Sequence, residues 1–200
     1  MKDLFISKKG IVVLVLIIVI TGSWSYAWQN YEENKEQLII YIDDLTRSIA
    51  LPYRVVQMTL REPFNELPVP VHGVTLIEIS DTWGEAREIR RTHEGTDIFA
   101  ERGTPVFSAT EGYIIRRNIG SRGGVNVMVI GPGGIMYYYA HFERIAHGIE
   151  PGAYVTPDTV LGFVGNSGNA SGTPPHLHFG VYERRWDAVN PYPLLIERPF

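Results

Sequence analysis

Three short segments carry the side chains best suited to hold a metal ion. The first runs from His93 to Asp97, the second contains the pair His176 and His178, and the third ends at His141. The chain has no cysteine, so any metal must be held by histidine and carboxylate. The same absence excludes a disulfide scaffold, a cysteine-ligated zinc finger and thiol catalysis.

The alternation of side chains along a strand predicts which of these groups share a face. Residues two or four positions apart point the same way, so His93 lies with Asp97, and His176 lies with His178. Gly95 leaves room between the first two for a metal or a substrate. A helical His-Glu-x-x-His zinc motif is disfavoured, because the fifth residue is aspartate and the central Gly-Thr opposes a helix.

Each pattern alone is weak evidence, since most histidines bind no metal. His72 and His147 lie outside the three segments, and we assign them no role. The three segments together contain four of the six histidines, and Asp97 lies on the same predicted strand face as His93. The combination is stronger evidence for a metal site than any one segment. Three protein ligands with one open position are typical of catalytic zinc, whereas structural zinc requires a fourth protein ligand.

These segments resemble the lysostaphin/LytM-type zinc metalloendopeptidases. Further matching stretches are Gly103–Val106, Val155–Gly168 and Pro175–Gly180, and the resemblance covers residues 73–195. It implies a β-sheet groove walled by loops and hydrolysis of peptide bonds in peptidoglycan cross-links or stem peptides. The alternative function is a non-catalytic zinc-binding or regulatory module that binds the cell wall or controls another wall hydrolase.

The resemblance also implies a role for each of five residues. His93, Asp97 and His178 would ligate one Zn²⁺ per chain. His141 and His176 would be the catalytic pair that polarises the water on zinc and the oxyanion. Inactive relatives that only activate amidases have lost ligands or catalytic histidines, and none of the five is lost here.

Short strands must position these residues. From residue 73 to 200, apolar runs alternate with Gly and Pro turns, and no segment of ten or more residues keeps a helical period. We predict eight strands, among them the first at Val74–Ser80, one at Ile135–His141 and the last at His176–Glu183. The pattern predicts an all-β domain with an antiparallel, folded-over, sandwich-like sheet.

Residues 1–29 form a predicted cytoplasmic tip and transmembrane helix. Lys8 and Lys9 precede 18 uncharged residues, from 11 to 28, and aromatic residues close the run. We expect a single-pass protein of the inner or cytoplasmic membrane, with its N-terminus in the cytoplasm and the peptidase domain outside. The competing interpretation is a cleaved signal peptide, but bulky residues crowd the cleavage zone and no Ala-x-Ala occurs.

Residues 30–62 form a predicted helical stalk, and residues 63–72 form a Pro-rich linker to the domain at 73–200. The stalk has an apolar stripe at three- and four-residue spacing: Leu38, Ile42, Leu45 and Ile49. The stripe either packs on the domain or pairs with another copy. Pro52 stops or kinks the helix.

Composition excludes two further classes. A hydrophobic share of 44% with 20% charged residues excludes a disordered chain. The formal net charge of −4 gives no reason to expect a nucleic-acid partner. The 200 residues suffice for one compact core and an appendage.

Overall fold

The computed structural model describes residues 31–87, 91–183 and 186–198. They divide into two units, one ending at Thr46 and one beginning at Arg47. The helix α1 spans Tyr31–Thr59. The strands are β1 (Leu67–Pro68), β2 (Ala86–Arg87), β3 (Arg91–Thr92), β4 (Thr96–Phe99), β5 (Pro105–Phe107), β6 (Gly112–Gly120), β7 (Gly124–Ile130), β8 (Met136–Ile145), β9 (Tyr154–Val155), β10 (Val160–Val164), β11 (His176–Tyr182), β12 (Ala188–Val189) and β13 (Leu195–Ile196).

One antiparallel sheet of nine strands dominates the described part of the second unit. Its main order is β12-β11-β8-β7-β6-β9, with β4 beside β11 and with β10 joining β8 to β5. Strands β2 and β3 form a separate hairpin, and β1 pairs with β13 in parallel. Short 3₁₀ turns at Leu76–Glu78, Pro132–Gly134, Gly168–Ala170 and Tyr192–Leu194 connect the strands. The prediction of a mainly β domain with an antiparallel sheet is confirmed.

The core lies on the face of the sheet opposite the histidine pair. On β11, Leu177 and Phe179 are fully buried, as alternation predicts. Tyr139 on β8 packs against Phe179, and its hydroxyl accepts a hydrogen bond from the Ala109 amide at 2.9 Å. Burial of one such large side chain contributes about 1.5–3 kcal/mol. A packed face of this kind holds β8 and β11 rigidly beneath the polar face.

The predicted first strand, Val74–Ser80, is wrong, because the structure has a 3₁₀ turn at Leu76–Glu78. The amide and hydroxyl of Thr75 donate to the Glu78 carboxylate at 2.8 and 2.7 Å. Local side-chain bonds of this kind compete with strand pairing. Ile77 is 92% exposed, so the apolar run does not mark a buried strand.

Helix α1 continues through Pro52 to Thr59, so the proline does not stop it. Its end packs on the domain, where Met58 is buried and Arg54 donates to the Gly152 carbonyl at 3.1 Å. The Arg61 guanidinium then pairs with Glu111 at 2.5 Å.

Two further predictions concern the chain on either side of the stalk. Within the predicted linker, Leu67, Val69 and Val71 are buried in the core. The predicted transmembrane helix at 11–28 lies outside the described residues. In the described ranges, no helix is both long and apolar enough to cross a membrane.

Candidate metal centre

The pairing of β4 with β11 brings two of the predicted ligands together. Asp97 lies directly opposite His178 in this antiparallel register. His93 enters from the turn before β4, and all three side chains are shielded from solvent. Their ligand atoms form the cluster of metal-binding type found among the described residues.

The three ligand atoms form a nearly equilateral triangle. Asp97 Oδ1 lies 3.0 Å from His93 Nε2 and 3.1 Å from His178 Nδ1, and the two imidazole nitrogens are 2.8 Å apart. Ligands of tetrahedral zinc, at about 2.0–2.1 Å from the metal, lie about 3.3 Å from one another. The triangle is within a few tenths of an ångström of this spacing, so the residues fit a zinc ion with one open position.

Two residues outside the predicted set orient the ligands. His93 Nδ1 donates to the Thr82 carbonyl at 2.7 Å, which leaves its Nε2 lone pair for a metal. The Thr82 hydroxyl accepts from the Asp97 amide at 3.0 Å. Arg87 on β2 pairs with Asp97 Oδ2 at 2.5 Å, so only Oδ1 faces the histidines. The sequence carried no spacing signal for these contacts, since Thr82 lies in an irregular segment and the strand that carries Arg87 is only two residues long.

Gly95 is required by the close approach of β11. A Cβ there would lie 2.6 Å from His178 Cε1 and 2.7 Å from the Phe179 carbonyl oxygen. The space predicted at Gly95 is thus filled by the ligand ring of His178. A larger residue would displace that ring from the cluster.

The electrostatics of the cluster favour metal-binding protonation states. Burial by itself raises the pKa of the Asp97 carboxyl, but hydrogen bonding to His178 and His93 outweighs it, and the net pKa lies far below its usual range. Burial lowers the pKa of His178, against the opposing effect of Asp97. A carboxylate beside a neutral imidazole is the form in which both side chains bind a metal.

A β-bulge directs His141 to the same face as the cluster. Four residues on β8, from Tyr139 to Phe142, oppose three on β7, from Val125 to Val127, and His141 has a positive φ of 66° within this bulge. The predicted strand end at His141 is wrong, because β8 continues to Ile145. Strict alternation would have placed His141 in the core beside Tyr139. The bulge turns it instead towards the groove, which is a recurrent use of bulges beside functional sites.

His141 and His176 face each other beside the ligand triangle. Their ring centroids are 5.1 Å apart, and the His141 ring lies 5.9 Å from that of His178. His141 Nδ1 donates to the Ser167 carbonyl at 2.8 Å, and His176 Nδ1 donates to the Pro174 carbonyl at 2.9 Å. Carbonyls only accept, so each Nε2 keeps its lone pair. Burial, opposed by the bond to Ser167, lowers the pKa of His141 to about 4.

All five residues line one open groove of about 450 Å³. The structure thus brings the five together, while the division into ligands and catalytic residues stays a prediction. Two histidines and one carboxylate, with an open side towards a groove, form the type of site found in zinc-dependent hydrolases.

The sequence model of the protein family described as "Peptidase family M23" matches residues 91–191 of this chain. The chain belongs to this family. It is 38% identical over 139 residues to the L-Ala–D-Glu endopeptidase of Bacillus subtilis, covering 64% of this chain and 42% of that protein. It is 33% identical over 131 residues to the DD-carboxypeptidase/endopeptidase Mpg of Neisseria meningitidis, covering 64% of this chain and 26% of that protein. The chain therefore spans less than half the length of these relatives.

Solved structures share the fold. A LytM protein of Ruminococcus gnavus superposes with a TM-score of 0.56 at 29% identity, over 86% of this chain and 71% of that one. The catalytic domain of lysostaphin from Staphylococcus simulans gives a TM-score of 0.52 at 26% identity, over 57% of this chain and 89% of that one. The resemblance seen in the sequence to LytM/lysostaphin-type peptidases is confirmed.

Proposed function

We propose that this chain is a zinc endopeptidase that hydrolyses peptide bonds in peptidoglycan cross-links or stem peptides. The observation that carries the proposal is the triangle of His93, Asp97 and His178 beside two further imidazoles in one groove. The similarity to the Bacillus and Neisseria peptidases supports the same type of reaction. In this assignment the triangle holds the metal, and His141 and His176 act on the substrate.

The metal and the protein have separate tasks in this proposal. Zinc, when bound, lowers the pKa of water towards about 7 and polarises a scissile carbonyl. Of the pair His141 and His176, whose Nδ1 atoms both donate to backbone carbonyls, one imidazole accepts at Nε2 the proton of the attacking water and later returns it to the leaving amine. While it holds that proton, the imidazolium stabilises the negative charge that develops on the carbonyl oxygen. No serine or cysteine nucleophile is required.

Digestion of purified sacculi by the full chain tests the proposal. We expect soluble fragments whose masses identify a cut peptide bond, loss of the reaction with a chelator, and recovery with added zinc. Binding to sacculi without any new peptide end, at full zinc occupancy, would favour the regulatory-module alternative. The Asp97→Ala variant serves as a control for contaminating hydrolases.

The proposed location is the outer side of the cytoplasmic membrane. It rests on the apolar run at 11–28 behind Lys8 and Lys9, and it would place the groove in the periplasm or beside the cell wall. A peptidoglycan substrate is found only on that side. The exposed Ile42, Leu45 and Ile49 of the stalk provide an apolar stripe for self-association in this proposal.

A further inference from the structure

One end of the groove is lined by guanidinium groups that have no hydrogen-bond or ion-pair partner for their side chains among the described residues. Arg91 and Arg122 line the groove, and Arg116 lies on the same face of the sheet. Among the described residues, none of the three makes an ion pair. The third arginine that lines the groove, Arg87, forms an ion pair with Asp97.

The sheet register places this cationic group along the groove from the metal site. His178 and Gly180 share a face on β11, and Gly180 lies opposite Tyr138 on β8. Tyr138 is in turn opposite Met128, and Met128 is opposite Arg116. The row therefore runs from the metal cluster across four strands to an exposed guanidinium. It gives an extended peptide a path over the sheet.

Tyr138 stands between two of the arginines. Tyr138 and Arg122 both line the groove, and Arg116 lies two strands from Tyr138 on the same face of the sheet. Burial raises the pKa of Tyr138, and the charges of Arg116 and Arg122 oppose this rise. A Cβ at position 123 would come 1.9 Å from the Tyr138 hydroxyl, so Gly123 is what lets it lie beside Arg122. Within the described part of the chain, the hydroxyl itself has no hydrogen-bond partner.

The charge balance at this end of the groove is positive. With Arg87 and Asp97 paired, Arg91 and Arg122 face a single further acidic side chain in the described lining, Glu94. Arginine binds carboxylates through two parallel hydrogen bonds, and a tyrosine hydroxyl can add a third donor. An uncharged glycine bridge would leave all of these donors unused.

We propose that Arg91, Arg116, Arg122 and Tyr138 form a subsite for a carboxylate of the substrate, so that the preferred substrate is an acidic peptide. This inference rests on the proposed peptidase function. The carboxylate has two potential sources in a peptide, namely an acidic residue within the chain and the free C-terminus. Both present the same anion to the subsite.

Three matched peptides from a peptidoglycan stem test the subsite. The first has all carboxylates free, the second has its internal carboxylate amidated, and the third has its C-terminal carboxylate amidated. A charge-assisted hydrogen bond contributes enough binding free energy to change affinity about tenfold. Loss of the recognised carboxylate should therefore raise the Michaelis constant about tenfold, with a smaller change in kcat. The amidated peptide that shows this loss identifies the source.

Substitutions at the subsite give the matched comparison. In Arg122→Gln and Arg116→Gln, the Michaelis constants for the free and the amidated peptides should become nearly equal. Arg117→Gln is the control, because Arg117 is the next residue on β6, points to the opposite face and pairs with Glu150 on the surface. It should keep the wild-type preference.

Binding measured on the zinc-loaded His176→Ala variant separates this inference from the proposed function. One outcome is that the variant binds the free acid more tightly than the amidated peptides while the wild type cleaves none of the three. This outcome would overturn the peptidase function and keep the subsite. Cleavage and binding of all three peptides with equal efficiency would overturn the subsite and keep the function.

Discussion

At the scale of residues, the site combines groups that the sequence indicated with groups that only the fold brings in. Strand parity indicated that His93 and Asp97 share a face and that His176 and His178 share another, whereas the choice of His178 as the third ligand came from the resemblance to a known family. Thr82 and Arg87 were not predictable, because their contacts depend on how the segment before β4 folds back over the cluster. Such contacts fix the orientation of the ligands and are needed for tight metal binding.

Removal of one member of the triangle should abolish metal binding. Asp97→Ala and His178→Ala each leave two of the three protein ligands. Catalytic zinc is held by three protein ligands and one water molecule. We expect less than a tenth of the wild-type zinc content, roughly, by metal analysis of the purified chain. Full zinc in either variant contradicts the ligand assignment. His147→Ala is the control, because the exposed His147 is not part of the cluster.

Arg87 should act on metal affinity by holding the Asp97 carboxylate with Oδ1 towards the histidines. Loss of such an outer partner costs about 10- to 100-fold in metal affinity, so Arg87→Met should raise the zinc dissociation constant by this factor. Arg87→Lys keeps the charge and should recover part of the affinity. Chelator competition gives the constants. Arg102→Met, which removes a surface pair with Glu143, is the control. A zinc affinity of Arg87→Met within twofold of wild type would refute the role of Arg87 in positioning Asp97.

Replacement of His176 or His141 should separate chemistry from metal binding. Neither belongs to the ligand triangle, so His176→Ala and His141→Ala should retain zinc and fold. The rate should fall steeply, because a general acid–base contributes about 10²–10⁴-fold and an oxyanion donor about 10²–10³-fold. The Michaelis constant should change much less. Turnover within threefold of wild type at full zinc occupancy would rule out the catalytic assignment.

At the scale of elements, strand parity predicted β11 well and β8 poorly. Alternation held on β11 because Leu177 and Phe179 are buried in the core while His176 and His178 stay on the polar face. It failed at His141 because a bulge adds one residue to β8, and bulges leave no clear mark in a single sequence. Short edge strands such as β2 and β3 escaped prediction, since two exposed residues show no periodicity.

The contact between the end of α1 and the domain should weaken at acid pH. Tyr154 and Arg61 lower the pKa of Glu111 by hydrogen bonding, so the charged carboxylate is favoured in the docked state. The stabilisation is therefore complete above the unfolded pKa of Glu111 and is lost as the pH falls through the lower folded value. Surface pairs contribute about 0.2–1 kcal/mol.

Hydrogen exchange of the amides in residues 55–61 measures this docking. Glu111→Gln should reduce their protection about two- to fivefold at pH 7, and the difference from wild type should vanish at an acid pH low enough to protonate wild-type Glu111 as well. Glu143→Gln, which removes the distant surface pair with Arg102, is the matched control. An equal difference between Glu111→Gln and wild type at both pH values would show that charge is not the cause.

At the scale of the whole molecule, composition already separated the β domain from the rest of the chain. Lysine occurs only before residue 73, and all but two of the 20 glycines lie from Gly73 onward. Glycine is frequent there because tight turns and close strand contacts, as at Gly95, exclude a side chain. Composition did not reveal that Leu67, Val69 and Val71 join the core, because the neighbouring prolines are typical of an exposed linker.

The remaining prediction concerns where the chain resides in the cell. Lys8 and Lys9 before the apolar run, and the absence of a small-residue cleavage site after it, predict an uncleaved anchor with residues 30–200 outside the cytoplasm. In bacterial cells, the full chain should sediment with membranes, keep its original N-terminus, and be digested by a protease added outside the cytoplasmic membrane. The double substitution Lys8→Glu and Lys9→Glu should impair this orientation, because the positive flank directs the cytoplasmic end. A soluble exported form that begins near residue 25 in most molecules would reject the anchor and favour a cleaved signal peptide.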